Sequence, residues 1–428
     1  MTDRRWAALT IGLAAVALLL LFTLTPHAVT GDARVRFLKL DALLHEGAIK
    51  PEPYSFVGPL FASPLWLFGS TRVWWVGRFN VLVLAAGVIA TWFGLARAVP
   101  PAERAAAALL LTASGMLPNA TNDFYGEMFS TMTVGAGLLV VWVQGRSIGW
   151  VPIALGVANT PATAVAMLFA AIHRAWVRRR VDGFAALACT AAIILLENRI
   201  VRGAVLNFGY AGNHGVTTML PFSGMPGFSY PVLLGTLSLL FSFGKGLLFF
   251  APALLLSAYA RRERPALAPF LDASLVFLAG LLIVYGHFWS WYGGWRWGPR
   301  YLLFAAYPSS IALAVALGCA GTARIGAATL LITVWTVWVG ASGVVFDLGV
   351  LDDCLANGWA LEHLCWYVPE YSPLLRPFVL PSPPLAAWQT AWLLLAALTT
   401  ALLVTSGPAI ESVAAAVVRA VKSRGGAA

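Results

Sequence analysis

The chain has 428 residues, of which 60% are hydrophobic and 11% charged, and its formal net charge is +10. A mean hydropathy of +0.79 and repeated apolar runs of about 20 residues exclude a soluble enzyme. The basic residues lie in short clusters beside these runs, where they orient a protein in the bilayer, so the positive charge does not indicate nucleic-acid binding. The composition predicts an all-α polytopic membrane protein.

The first apolar run extends from Trp6 to Thr25 and predicts a retained membrane helix. It is too long for the apolar part of a cleavable signal peptide, and Arg4 and Arg5 before it predict a cytoplasmic N-terminus. Further spans are predicted at about 73–95, 105–118, 127–145, 182–201, 231–258, 266–288, 301–321, 325–346 and 385–406.

Residues 148–172 do not fit a simple alternation of sides, because basic residues that favour the cytoplasm lie both before and after them. The sequence Asn159-Thr160-Pro161 interrupts the middle of this stretch, which predicts two half-helices in a hairpin. The prediction is then a bundle of about 12 transmembrane segments with both termini in the cytoplasm. The transmembrane domain covers residues 1–406, and residues 407–428 form a cytoplasmic basic tail.

Three predicted outward loops are long enough to build a site: residues 26–72, 202–230 and 347–384. The cytoplasmic connections are short and basic, so we expect any chemistry on the outer face. Cys354 and Cys365 in the last loop predict a disulfide in an oxidising compartment, with two unpaired thiols as the alternative.

The first loop begins with Thr30–Gly47, whose apolar positions follow helical spacing and predict an amphipathic helix on the membrane surface. Asp32 lies at the N-terminal end of this helix, where a carboxylate can accept a proton from a substrate hydroxyl. A helix cap or an ion pair with Arg36 is the alternative. Residues 54–69 are too short and too rich in proline for an easy span, and predict a second interfacial helix.

Two acidic residues follow in the next outward turn, where Asp123 and Glu127 are four positions apart. They could orient an acceptor, provide a base or ligate a divalent cation such as Mg or Mn through oxygen. The alternative is a solvated loop acid and a carboxylate that is favoured at a helix N-terminus.

Lys245 is isolated among apolar residues and lies between Gly244 and Gly246. An unpaired cation in hydrocarbon costs roughly 2.5–3.5 kcal/mol on insertion scales, so such a lysine is a functional candidate. Extension of its side chain to the membrane interface is the alternative.

The stretch WSWYGGWRWGPRYL, Trp289 to Leu302, predicts an outward turn. Its first tryptophans fit an interfacial aromatic belt, whereas Arg296 and Arg300 are unusual on the outer side. Their forked donors are of the kind that hold a phosphate, and Pro299 predicts that a helix begins beside Arg300.

Four stretches, TGDARVRFLKLDALLHEG, FYGEMF, LLFSFGKGLLFFAP and WYGGWRWGPRYLL, occur in this order. With this spacing, the chain resembles bacterial GT-C superfamily glycosyltransferases that use polyprenyl-phosphate sugars, over about residues 5–320. It is most similar to the group described as dolichyl-phosphate-mannose-protein mannosyltransferase-like. That group carries adjacent acids in the first loop, whereas Asp32 is followed by Ala33.

The resemblance implies inverting transfer of a sugar from a polyprenyl-phosphate donor at the outer face of the bacterial inner membrane. It implies Asp32 as catalytic base, with Lys245, Arg296 and Arg300 on the donor phosphate. Asp123 and Glu127 would orient the acceptor or a metal. Mannose, arabinofuranose and other donors stay open, as do a glycan, a glycolipid and a protein as acceptor.

The alternative function is a flippase or transporter of polyprenyl-linked lipids. Such a protein should show internal repeats and polar residues at the membrane midplane, and the sequence shows neither clearly.

Overall fold

The structure is a computed structural model that describes residues 3–209, 215, 217–294, 296–346, 354, 359–379, 384–405 and 407–425. Within these residues all regular elements are helices, and one isolated bridge joins Ala28 to Asp123. The α-helices are α1 (Asp3–Thr23), α2 (Asp32–Asp41), α3 (Val57–Phe61), α4 (Ser63–Trp66), α5 (Arg72–Gly77), α6 (Phe79–Gly94), α7 (Pro101–Ala113), α8 (Gly126–Trp142), α9 (Trp150–Asn159), α10 (Ala164–Arg178), α11 (Asp182–Arg202), α12 (Val232–Phe241), α13 (Leu247–Phe250), α14 (Ser257–Glu263), α15 (Ala268–Gly286), α16 (Ala306–Cys319), α17 (Ala323–Val345), α18 (Glu362–Tyr367), α19 (Arg376–Val379), α20 (Ala387–Thr405) and α21 (Pro408–Gly425).

Several helices are long and apolar enough to cross a membrane, which confirms the predicted all-α polytopic class. The described residues contain six such segments: Arg4–Thr23, Asp182–Arg202, Pro265–Gly286, Arg300–Cys319, Ala323–Val345 and Ala387–Thr405. Two of them, Pro265–Gly286 and Arg300–Cys319, include the 3-10 turn that leads into the α-helix. A seventh is obtained if the pair Gly69–Gly77 and Phe79–Gly94, bent by 53°, is one span. The count of about 12 segments stays a prediction.

The centre of the bundle is the segment Arg300–Cys319, which is 89% buried. The polar residue Arg300 stands at its first position, and the 3-10 turn there continues as α16. Arg300, a functional candidate of the WSWYGGWRWGPRYL stretch, therefore lies at one end of the most buried of these segments.

The hairpin predicted at 148–172 is present, because α9 ends at Asn159 and α10 begins only at Ala164. Thr160 leaves the helical conformation and Pro161 follows it. The far ends of both half-helices return to one side, since Arg174 near the end of α10 donates to the carbonyl of Val141 in α8 at 3.2 Å. The break between α9 and α10 is the apex of the hairpin and lies at the side opposite to these far ends.

One predicted span is wrong as a continuous helix, the run at 231–258. Helix α12 ends at Phe241, and the backbone leaves the helix before α13 begins at Leu247. Gly244 passes so close to the chain around α18 that a Cβ on it would lie 2.0 Å from the carbonyl oxygen of Cys365. Only glycine allows that approach. Lys245 stands inside this break.

The first loop forms helices, as predicted, and their position at the membrane surface stays a prediction. Helix α2 continues into a π turn at Ala42–Glu46 and stops at Gly47, which has a φ of +66°. The second predicted interfacial helix is divided into α3 and α4, because Pro64 cannot continue the hydrogen-bond ladder of α3.

The predicted tail at 407–428 forms α21 over its described part. Helix α21 packs against α17, where a Cβ on Gly326 would lie 2.3 Å from the hydroxyl of Ser412. Residues 426–428 lie outside the described part of the chain.

Candidate functional site

The first turn of α2 meets the first turn of the central helix through an ion pair. Nη2 of Arg300 donates to Oδ2 of Asp32 at 2.9 Å. Gly31 precedes Asp32 with a φ of +54°, and a Cβ there would lie 3.3 Å from the hydroxyl of Tyr125. Glycine at this position lets the start of α2 approach the aromatic ring and the arginine together.

Arg300 has a second carboxylate beside it. Its Nε lies 3.8 Å from Oε1 of Glu127, which stands in the first turn of α8. The other oxygen, Oε2 of Glu127, is buried and has no hydrogen-bond partner among the described residues. One guanidinium therefore lies between the two predicted acids.

A second ion pair lies next to the first. Nη1 of Arg296 is 3.1 Å from Oδ2 of Asp123, and its Nη2 donates to the hydroxyl of Thr30 at 3.4 Å. The backbone N–H of Ala28 donates to the carbonyl of Asn122 at 2.9 Å, so the turn that carries Asp123 is attached to the first loop. Five of the predicted residues thus meet, although they come from three separate parts of the sequence.

Tyr125 joins the two pairs and was not among the sequence candidates. Its ring centroid lies 5.0 Å from the guanidinium carbon of both Arg296 and Arg300. Burial, with a contribution from Asp123, raises the pKa of Tyr125, so its phenol stays protonated at physiological pH. The available signal was an aromatic residue between the two acids Asp123 and Glu127.

Asn80 is a second residue that the sequence did not single out. It is fully buried, and its Nδ2 donates to the carbonyls of Asp123 at 2.6 Å and Tyr125 at 2.9 Å. It also lies 3.3 Å from the carbonyl of Ala120. This amide fixes the turn that carries the acids, and its only sequence signal was an asparagine inside an apolar run.

Lys245 lies behind the loop that carries Arg296 and Arg300, and not on the side where these arginines could bind a phosphate. It is fully buried, and its ammonium donates to the carbonyls of Gly294 at 3.2 Å, Gly298 at 2.8 Å and Arg296. The geometry favours a lysine that holds the arginine-bearing loop in place. Direct contact between Lys245 and a phosphate remains a prediction from the sequence, and the position of Lys245 in the structure does not support it.

A disulfide lies on the far side of Lys245. Cys354 and Cys365 are joined, with their Cα atoms 6.0 Å apart. The next residue, Trp366, has its ring 4.9 Å from the Lys245 ammonium and 4.9 Å from the ring of Tyr292. The loop of the arginines is thus backed by the cystine-bearing loop.

Arg36 lies behind Asp32 and does not pair with it as the sequence alternative proposed. Its guanidinium lies over the ring of Tyr54 at 4.8 Å, and its buried Nε and Nη1 have no hydrogen-bond partner in the part of the chain that the structure describes. Burial raises the pKa of Asp32, but Arg300, a hydrogen bond from Tyr54 and Arg36 outweigh it and leave that pKa below its usual value. Asp32 is therefore an ionised carboxylate at neutral pH.

Two cavities open on either side of the pair between Arg300 and Glu127. The larger is an open cleft of about 550 Å³, with the adjoining solvent space included, and contacts both arginines, Asp123 and Tyr125. The smaller, of about 340 Å³ on the same measure, is lined by Glu127, Ser130, Thr131, Val134, Thr160, Thr163, Phe277, Leu281, Tyr285, Arg300, Tyr301, Leu303 and Phe304. Arg300 and Glu127 border both spaces.

A divalent cation does not fit the carboxylates as they stand. Asp123 and Glu127 each face a different arginine. Across the described part of the chain, no three His, Cys, Asp or Glu side chains converge as a ligand set. Mg or Mn therefore stays a prediction from the sequence.

The fold has counterparts among solved structures. ArnT from Cupriavidus metallidurans in the apo state is 16% identical, with a TM-score of 0.52, over 94% of this chain and 77% of that one. ArnT bound to undecaprenyl phosphate is 17% identical, with a TM-score of 0.51 and the same coverage. No family model and no curated protein matches the chain. The likeness confirms the predicted GT-C-type fold.

Proposed function

We propose that the protein is an inverting glycosyltransferase that moves a sugar from a polyprenyl-phosphate donor to an acceptor hydroxyl. The observation that carries the proposal is Arg300 between Asp32 and Glu127, at 2.9 Å and 3.8 Å, beside the pair of Arg296 and Asp123. Such a site supplies a base and two phosphate-binding cations in one place. The ArnT fold, one structure of which holds undecaprenyl phosphate, supports a lipid phosphate as the anion.

Arg296 and Arg300 bind the donor phosphate in this proposal. Each guanidinium is already oriented by a carboxylate, and each presents further N–H groups for a phosphate oxygen. Lys245 acts as a positioning residue, because its hydrogen bonds hold the backbone at Gly294 and Gly298.

The donor phosphate also releases the base. A phosphate on Arg300 competes with Asp32 for the same guanidinium, so the Asp32 carboxylate becomes free to accept a proton. The acceptor oxygen then attacks the anomeric carbon while its proton passes to Asp32. The bond from that carbon to the phosphate oxygen breaks, and its electron pair leaves on the lipid phosphate, whose charge Arg296 and Arg300 stabilise.

Asp123 and Glu127 orient the acceptor in this scheme, and no step is assigned to a metal. Oε2 of Glu127 is an acceptor without a partner among the described residues and suits a hydroxyl donor. Asp123 faces Arg296 in the larger cavity.

The site is proposed to face outward in the inner membrane of a bacterium, in cell-envelope glycan or glycolipid assembly. Helix α1, which is long and apolar enough to cross a membrane, separates Arg4 and Arg5 from the first loop, which supports opposite sides of the membrane for the N-terminus and Asp32. The positive-inside rule puts the arginines in the cytoplasm.

The test is transfer by the purified protein in lipid nanodiscs from radiolabelled undecaprenyl-phosphate sugars to a mixture of envelope glycolipids and glycans. We expect Asp32→Asn to lower the transfer rate by about 10²–10⁴-fold while undecaprenyl phosphate still binds. Asp41→Asn, at the other end of α2, is the matched control because Asp41 pairs with Arg72 at 3.0 Å. Full transfer by Asp32→Asn would refute the base, and lipid translocation without transfer would identify a flippase instead.

A further inference from the structure

A cluster of four arginines lies at the end of the α9–α10 hairpin that is opposite to its apex. They come from the connection before α9, and from the end of α10 with the connection that follows it: Arg146, Arg178, Arg179 and Arg180. All four are exposed. The apex adjoins Arg300, whereas this arginine cluster lies one helix length away, since α8 from Gly126 to Trp142 is about 25 Å long at 1.5 Å per residue. The cluster is therefore separate from the proposed active site.

A buried ion pair brings the two parts of the arginine cluster together. Nε and Nη2 of Arg174 donate to the two carboxylate oxygens of Asp182, at 2.7 and 2.9 Å. The hydroxyl of Ser147 donates to the same carboxylate at 2.6 Å. Ser147 follows Arg146, and Asp182 stands two positions after Arg180, so both connections are attached to one carboxylate.

The arginine cluster has no carboxylate of its own. Asp182 is the only acidic residue between positions 127 and 197, and Arg174 and Ser147 already occupy both of its oxygens. Asp272, on the neighbouring helix α15, is paired with Arg261 at 3.0 Å. None of the four arginines forms an ion pair within the residues that the structure describes. Neighbouring guanidiniums without a counterion repel one another and attract an anion with several oxygens.

The turn that carries three of these arginines has an uncommon backbone. Arg179 has a φ of +52° and a ψ of +35°, in the left-handed region that residues with a side chain rarely adopt. It directly follows the last residue of α10, where glycine is the usual residue. The sequence thus has a cation where the backbone favours glycine, which indicates a role for the side chain.

Exposed apolar side chains accompany the arginine cluster in the same two parts of the chain. Trp176 is 77% exposed, and Ile148, Val177 and Val181 are each more than half exposed. Tryptophan favours the level of lipid headgroups, where its ring contacts acyl chains and its N–H reaches water. A soluble phosphate compound would leave this apolar surface uncovered. A phospholipid covers both, because its phosphate contacts the arginines and its chains contact the apolar residues.

We propose that this end of the hairpin is a binding site for an anionic phospholipid. The headgroup phosphate lies on the arginine cluster, whose forked donors bind its oxygens, and the acyl chains lie against Trp176 and Val181. The bound lipid attaches the hairpin to the membrane leaflet on that side. The site goes beyond the proposed function, because no residue of it belongs to the proposed active site.

The test measures lipid binding to the full-length protein in detergent by native mass spectrometry. The probes are phosphatidylglycerol, which is anionic, and phosphatidylcholine, which is zwitterionic. We expect the wild type to prefer phosphatidylglycerol. Arg179→Gln combined with Arg180→Gln should weaken binding of that lipid about 20-fold, about fivefold for each arginine, and leave phosphatidylcholine unchanged. Undecaprenyl phosphate should bind this double variant as it binds the wild type.

The matched control is Arg97→Gln combined with Arg324→Gln. These arginines are also exposed and without an ion pair in the described residues, and they lie in other connections at the same end of the bundle. The control removes the same charge and should leave phosphatidylglycerol binding unchanged. Equal loss in the control would overturn the site, as would equal binding of both lipids by the wild type or a parallel loss of undecaprenyl phosphate. Full competition by glycerophosphoglycerol, the headgroup without acyl chains, would identify a soluble phosphate as the ligand and also refute the proposal.

Discussion

At the scale of single residues, Arg300 determines the state of the site. It is hydrogen bonded to Asp32 at 2.9 Å and faces Glu127 at 3.8 Å, so its charge is shared between a proposed base and a proposed acceptor ligand. Any anion that binds Arg300 changes the pKa of Asp32, because the shared cation lowers that pKa. Donor binding and base strength are therefore coupled.

This coupling predicts two different acid limbs in the pH dependence. Folding lowers the pKa of Asp32, so its carboxylate and the stability from its ion pair are present at higher pH and are lost as pH falls through the lowered value. We expect the acid limb of kcat/KM, which reports the free protein, to lie below about 4, the ordinary aspartate range. The limb of kcat should lie at higher pH, because the bound phosphate has drawn Arg300 away.

The measurement is a set of initial rates of transfer across pH at low and at saturating donor. Asp41→Asn serves as the control and should reproduce both limbs, since Asp41 lies at the other end of α2. Coincident limbs in the two profiles would contradict the competition between phosphate and Asp32 for Arg300.

The sequence indicated most of the charged residues of the site but not their partners. Asp32 and Arg300 are 268 positions apart, and neither spacing nor composition shows that they meet. Lys245 was recognised from its isolation, yet the sequence does not say on which side of the loop its ammonium lies. Asn80 and Arg36 were missed as site residues because their roles depend on backbone carbonyls and a ring that folding brings to them.

At the scale of elements, the hairpin of α9 and α10 determines the depth and lining of the site. Asn159 at its apex accepts from the N–H of Gly58 at 3.0 Å and donates to the carbonyl of Gly126 at 2.8 Å. It also donates to the hydroxyl of Ser130 at 3.0 Å. One buried amide thus joins the hairpin to the first loop and to α8.

We predict that Asn159→Leu destabilises the folded protein by about 2–4 kcal/mol, since it leaves the buried N–H of Gly58 and the carbonyl of Gly126 without this partner. The midpoint of thermal unfolding in detergent should fall, and transfer should fall with it, because Ser130 loses its support. Gln144→Leu is the control: Gln144 is half-buried in the connection after α8, and its side chain makes one weak bond of 3.5 Å. A variant as stable and active as the wild type would show that the apex is held by packing alone.

The break in the hairpin was predictable and its function was not. Asn159-Thr160-Pro161 interrupts an apolar run between basic clusters, which is enough to place two half-helices. That the break supplies hydroxyls to a cavity depends on contacts with α8 and α15. The break at Ser242–Gly246 was not predicted, because the residues around it are strongly hydrophobic, although Gly244 and Gly246 were a sequence signal for a break.

At the scale of the whole molecule, a chain of contacts leads from the disulfide to the two arginines that are proposed to bind the phosphate. The N–H of Gly244 donates to the carbonyl of Trp366 at 3.0 Å, beside Cys365, and Lys245 carries the connection to the backbone of Arg296 and Gly298. The loop of the disulfide thus helps to fix the position of the arginines.

We predict that replacing Cys354 and Cys365 together by alanine weakens binding of undecaprenyl phosphate about threefold to tenfold, the range for a coupling of roughly 1 kcal/mol. The value of kcat at saturating donor should change little, since Asp32 is carried by α2 in the first loop. Dissociation constants and kcat from the same preparations give the comparison. Cys189→Ala, at an exposed free thiol, is the control, and an unchanged affinity in the double variant would exclude the coupling.

The pair of Asp32 and Arg300 also has a consequence for the order in which the two substrates act. An acceptor that arrives first finds the proposed base already engaged by a cation and gains no proton acceptor. A donor that arrives first occupies that cation and leaves the base available. In the proposed function the donor therefore binds productively before the acceptor, and we expect the lipid phosphate released at the end to compete with the next donor but not with the next acceptor.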